Sequence, residues 1–87
     1  MWWDRLGVAP VRPEDADDSW HAAELTLKSV NQLERAVKAA GNAGAVGWWV
    51  TPWAPTPKGH QATIKVFFAK RTHAKNFQTH PPISQRR

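Results

Sequence analysis

Gln61-Ala62-Thr63-Ile64-Lys65-Val66-Phe67-Phe68-Ala69-Lys70-Arg71 reads as the clearest β-strand in the chain, with branched and aromatic side chains placed in alternation. Successive strand residues point to opposite faces. Ala62, Ile64, Val66 and Phe68 therefore share one side, and Thr63, Lys65, Phe67 and Ala69 the other. The first set is purely apolar and calls for cover. Residues 46–53, Val-Gly-Trp-Trp-Val-Thr-Pro-Trp, form a second β-rich run in which Pro52 marks an edge or a strand end. Residues 54–60 join the two runs with Pro55, Pro57 and Gly59, so the pair reads as a hairpin. On this earlier strand Val46, Trp48 and Val50 oppose Gly47, Trp49, Thr51 and Trp53.

Cover for the apolar face lies upstream. Ser29-Val30-Asn31-Gln32 reads as a capping box, in which the Ser hydroxyl takes a free helix N–H and the Gln reaches back. Val30, Leu33, Val37 and Ala40 follow at helical spacing, Arg35 and Lys38 lie off that stripe, and Gly41-Asn42 ends the helix. Before it, Ala23-Glu24-Leu25-Thr26-Leu27-Lys28 alternates like a half-buried strand. A rival reading makes residues 19–40 one long helix, since Trp20, Ala23, Leu27 and Val30 also fit helical spacing. The expected fold is a small α+β domain of β-α-β-β outline, with one helix packed on an antiparallel sheet. Residues 1–19 read as an N-terminal arm and acidic connector, 20–71 as the core, and 72–87 as a basic flexible tail that contains Pro81-Pro82.

With 87 residues the chain makes one domain and buries a thin core. It has no cysteine, which excludes disulfides, thiolate metal sites and a thiol nucleophile. No apolar run approaches the ~20 residues of a membrane helix. The start, Met1-Trp2-Trp3-Asp4-Arg5, lacks the pattern of a signal peptide, so no membrane association and a cytoplasmic location are expected. The six tryptophans are many for so small a core. Some compensate for the short chain by burying more area, and the remainder are expected at the surface.

Charge is divided along the chain. All seven acidic residues lie in 1–34, with only three bases. Residues 35–87 hold the other nine bases and no acid: Arg35, Lys38, Lys58, Lys65, Lys70, Arg71, Lys75, Arg86 and Arg87. Such a field favours an anionic partner. With the helix on the aliphatic sheet face, Trp49, Trp53, Lys65 and Phe67 are left on the open one. Aromatic rings interleaved with cations on an open sheet suit single-stranded nucleic acid, with bases stacked on Trp49, Trp53 and Phe67. Arg35, Lys38, Lys58, Lys65, Lys70, Arg71 and Lys75 are the expected phosphate contacts. The expected function is thus non-catalytic binding of RNA or single-stranded DNA. The competing reading is a protein-binding module that docks on an acidic surface of a nucleic-acid-processing machine, as a phage-type inhibitor or small subunit does. Two further possibilities compete for the same face: cover by the N-terminal arm, with Trp2 and Trp3 packed there, or a homodimer through it.

Catalytic patterns are sparse. His21, His60, His73 and His80 show no i, i+4 metal pair, and the Gly-rich run 41–47 lacks the Lys and Ser/Thr of a phosphate loop. No cofactor or metal is expected. Lys58-Gly59-His60-Gln61, followed by a strand, resembles small basic ribonucleases of the HicA toxin type, which place a His after Gly on a strand of a helix–hairpin domain. That resemblance implies a catalytic role for His60. The family's usual closing helix would fall where this sequence has Pro81-Pro82.

Overall fold

The strand read from residues 61–71 is the centre of the fold. In the computed structural model, which describes residues 7–83, four strands and two helices follow in the order β1 (His21–Leu27), α1 (Val30–Asn42), β2 (Ala45–Val50), β3 (Ala54–Thr56), β4 (Gly59–Phe68) and α2 (Arg71–Thr79). β4 lies between β1 and β2 and is antiparallel to both. β1 and β2 therefore run parallel to each other, with α1 as the crossover. The α+β fold and its β-α-β-β outline are as the alternation of side chains implied. The reading of 19–40 as one helix gives way to strand then helix.

Each of these elements follows from local chemistry. Ser29 caps α1 through its hydroxyl oxygen, which accepts from the Gln32 N–H at 3.2 Å. Gln32 returns a bond one residue earlier than a capping box requires, accepting the Lys28 N–H at 2.7 Å. Gly41 and Asn42 are the last helical residues rather than the stop. Gly44, at φ +88°, makes the left-handed exit that a side chain resists. The buried stripe of α1 is Leu33, Ala36, Val37 and Ala40. Val30 does not join it and stays 61% exposed.

The helices cover the face that carries Ala23, Leu25 and Leu27 of β1, Trp48 of β2, and Ala62, Ile64, Val66 and Phe68 of β4. Leu25, Leu27, Ile64, Val66 and Phe68 are fully buried or nearly so. Each such side chain stabilises the fold by roughly 1.5–3 kcal/mol.

Three expectations need correction. The segment 72–87 is not a structureless tail. Residues 71–79 form α2, which buries Ala74 and Phe77, and Ile83 beyond it is buried too. Phe77 packs against Phe68 with ring centroids 5.4 Å apart. Pro81-Pro82 therefore ends a helix rather than marking its absence, since the residue before a proline is steered out of the helical region. Next, the 54–60 loop is mostly hairpin: β3 pairs with the start of β4, with Thr56 opposite Gly59 and only Pro57 and Lys58 in the turn. Finally, the arm is docked. Val8 is buried, the Trp48 Nε1–H donates to the Val8 carbonyl at 3.0 Å, and the Val11 N–H donates to the Trp48 carbonyl at 2.8 Å. Trp2 and Trp3, expected to help pin it, lie outside the described residues, as do Arg86 and Arg87.

Candidate nucleic-acid interface

Register settles which side chains share the outer sheet face. Opposed residues point the same way, so three rows cross the strands there: Thr26–Thr63 beside Thr51, then Glu24–Lys65–Trp49, then Ala22–Phe67–Gly47. Trp48 and Trp49 do point to opposite sides. Trp48 is a core residue, 4% exposed, and Trp49 is half-buried on the outer face.

The expected platform of three aromatic rings is not assembled. Phe67 is on the outer face but only 5% exposed. Trp20 stacks on it with ring centroids 6.0 Å apart at 38°, and Val11 crosses Gly47 beside it. A Cβ at Gly47 would meet Val11 Cγ2 at 2.6 Å, so the missing side chain is what lets the arm lie so close. Trp53 leaves the outer face altogether. Thr51 still pairs beside Thr63, and β3 resumes with Ala54 opposite Gln61, so Pro52 and Trp53 together oppose Ala62 as a bulge that breaks the alternation, and Trp53 packs against the core. Lys65 is on the outer face but not free, since its Nζ is 3.8 Å from Glu24 Oε1 on the neighbouring strand. Both groups are solvent-exposed, so the pair adds little stability. It does offset the Lys65 charge. Self-cover by the N-terminal segment thus accounts for one end of this face, and Trp49 and the threonines occupy the rest.

The structure instead gathers aromatic and basic groups at the free edge of β1. Trp20, His21, Ala22, Arg71, Ala74, Lys75, Gln78 and Thr79 line an open groove of about 550 Å³. α2 explains the grouping. Arg71, Lys75 and Gln78 recur at spacings of four and three, so they form one helical stripe beside the buried Ala74 and Phe77. His73, Asn76 and His80 fall on the other flank, where they line a shallow groove with Ala39, Ala43, Phe77 and Pro82.

Other expected contacts are scattered. Arg35 and Lys38 are exposed on α1, Lys58 sits in the β3–β4 turn, and Lys70 is the N-cap of α2. Among the described residues the Lys65–Glu24 contact is the one ion pair, so Arg71, Lys75 and these four bases have no carboxylate partner. The nearby acidic turn is internally occupied. The Asp17 carboxylate accepts the Ser19 hydroxyl at 2.6 Å and the Ser19 N–H at 2.8 Å. Those bonds, the hydroxyl one first, hold its pKa below the usual carboxylate value.

His60 stands on β4 in a separate groove with Lys28, Ser29, Val30 and Trp53, at the opposite end of β1 from Trp20. A helix, α2, does follow β4, ahead of Pro81-Pro82. Among the described residues no three His, Asp or Glu side chains cluster as a metal site, and no helix is long and apolar enough to cross a membrane.

Trp20, His21 and Gln78 are functional candidates that the sequence reading passes over. The signal for them is the helical spacing of Arg71, Lys75 and Gln78 against Ala74 and Phe77. Pro81-Pro82 masks that pattern when the segment is read as a tail. No protein-family model, curated protein or solved structure matches the chain.

Proposed function

We propose that this protein is a non-catalytic binder of RNA or single-stranded DNA, and that the strand lies in the groove between Trp20 and α2. The observation that carries this reading is the juxtaposition of a half-exposed indole with two unpaired cations, Arg71 and Lys75, on one wall of that groove. A base stacked on an aromatic side chain contributes roughly 1–3 kcal/mol, and cations beside it hold the phosphates. The Trp20 ring rests against Phe67, with centroids 6.0 Å apart and tilted by 38°, which helps to hold the indole in place at the groove. Asp17 and Asp18 lie just before Trp20 and repel phosphate, so the strand approaches from the α2 side.

The second reading, an acidic protein surface as partner, draws on the spread of the other bases. Arg35 and Lys38 on α1 and Lys58 in the hairpin turn do not line the groove. A homodimer through the outer sheet face loses its main support, because Trp49, Trp53 and Phe67 do not share an open surface.

Titration of a labelled single-stranded oligonucleotide at several salt concentrations tests the proposal. Log affinity falls with log salt by about 0.7 per phosphate contacted. Replacing Arg71 and Lys75 together by Ala reduces that slope by about 1.4 and weakens binding, while leaving the fold intact because both side chains are exposed. Absence of binding at ~50 mM salt overturns the reading and leaves the acidic protein partner.

A further inference from the structure

β1 lies at one edge of the sheet, so alternate residues aim their backbone groups away from β4. Ala22, Glu24 and Thr26 are those residues, because the Gln78 side chain reaches the Glu24 N–H and carbonyl from outside. The Gln78 amide covers one rung of this edge. The rung before it is bare: among the described residues the Ala22 N–H and carbonyl have no partner, and Ala22 is exposed. Ala22 lines the groove between Trp20 and α2. We infer that this rung reads the Watson–Crick edge of one unpaired base of the bound strand, an inference that rests on the strand-binding function proposed above.

The form of the open rung selects its occupant. A residue at a strand edge offers one donor and one acceptor side by side. A planar group with an acceptor next to a donor closes both bonds at once, as the Gln78 amide does on Glu24. The Watson–Crick edge of each base has that pattern, and unpaired bases are recognised along it. A second β-strand needs rungs in succession, and here the neighbours on both sides are taken. The Trp20 N–H donates to the Asp17 carbonyl at 3.0 Å, and Glu24 is held by Gln78. A single flat group fits between them. Charge completes the selection. Arg71 and Lys75 line the same groove and have no carboxylate partner among the described residues, so they favour a flat group that carries an anion. A nucleotide unit has both, and Trp20 adds an aromatic surface beside them. In a duplex this edge of the base is already paired, so the rung selects single strands.

The test changes the rung and leaves the cations alone. A short oligothymidylate is compared with the same strand methylated at thymine N3. Methylation removes the donor for the Ala22 carbonyl and keeps the rings and the phosphates. The methylated strand binds about tenfold more weakly, through the lost hydrogen bond and the partner it leaves unpaired. In the protein, Ala22→Pro removes the N–H, at an edge position where it faces outward and proline is tolerated. The variant binds the unmethylated strand more weakly by a similar factor. NMR of the Ala22 amide reports the contact directly: its exchange with solvent slows when the unmethylated strand binds and stays fast with the methylated one. Methylation acts on the unaltered protein, so that comparison holds even where Ala22→Pro does not fold. Equal binding of the two strands overturns the inference. If that binding still falls when Arg71 and Lys75 are replaced by Ala, strand binding itself stands. Binding of neither strand overturns both. A folded Ala22→Pro with unchanged affinity, or an Ala22 amide whose exchange is unaltered at saturation, overturns the inference as well.

Discussion

The side-chain amide of Gln78 pairs with the backbone of Glu24: its Oε1 accepts the Glu24 N–H at 2.8 Å and its Nε2–H donates to the Glu24 carbonyl at 2.9 Å. One side chain of α2 thus imitates the next strand and satisfies both outward-facing groups at the middle of β1. An open strand edge is a template for pairing with another chain. Gln78 blocks it and clamps α2 against the sheet, which also fixes Arg71 and Lys75 beside Trp20.

Gln78→Ala is therefore expected to lower stability by about 1–2 kcal/mol, the net worth of two hydrogen bonds at a solvent-exposed site. Gln78→Glu is expected to cost at least as much. A carboxylate cannot donate to the Glu24 carbonyl and adds a second negative charge beside Glu24. Denaturant melts measure both effects. Concentration-dependent self-association of Gln78→Ala, followed by light scattering, reports the opened edge. Unchanged stability in both variants would show that the clamp contributes nothing.

Gly47→Ala is expected to lift the arm. The new Cβ falls 2.6 Å from Val11 Cγ2, too close for any side chain to accept unmoved. Overpacking of this kind costs typically 1–3 kcal/mol. Hydrogen exchange at the Val11 N–H, bonded to the Trp48 carbonyl, accelerates in the variant. The double variant Gly47→Ala with Val11→Gly recovers much of the loss, because the clash and its partner are removed together. No recovery would place the cost elsewhere in β2.

Trp48 and Trp49 are adjacent and diverge. Trp48→Ala removes a core indole that also bonds the Val8 carbonyl, and costs about 3–5 kcal/mol, enough to unfold a small domain. Trp49→Ala, at a half-buried site, costs much less and leaves the protein folded. Thermal melts of the pair decide this. Equal destabilisation would mean that both sheet faces are covered alike.

Deleting residues 76–87 is expected to unfold the protein rather than trim a tail, because Phe77 and Ile83 are buried. Phe77→Ala alone costs about 3–5 kcal/mol through the cavity left against Phe68. A truncated chain with an unchanged thermal midpoint would refute the role given to α2.

The sequence by itself determined the two longer strands of the hairpin and the start of the first helix, while the rival reading of 19–40 as one helix and the strand at 54–56 were left to the structure. Alternation along 61–68 and 47–50 decides which side chains share a face, so the divergence of Trp48 and Trp49 needs no tertiary information; it fails at Val46, expected beside Trp48, because a bulge between Ala45 and Gly47 leaves Val46 exposed. Ser29 and Gln32 mark the start of α1 because a cap is a contact among near neighbours. Only the tertiary structure decided what covers each face. Gln78 and Glu24 are 54 positions apart. Val11 over Gly47 and Trp20 over Phe67 likewise depend on segments distant in the chain. α2 belongs with these. Its apolar side chains are few, and its stability comes from burying Ala74 and Phe77 against a sheet that must already be in place. Residue periodicity carries no record of that sheet, so the candidate groove, which needs β1 and α2 side by side, is visible only once they have packed.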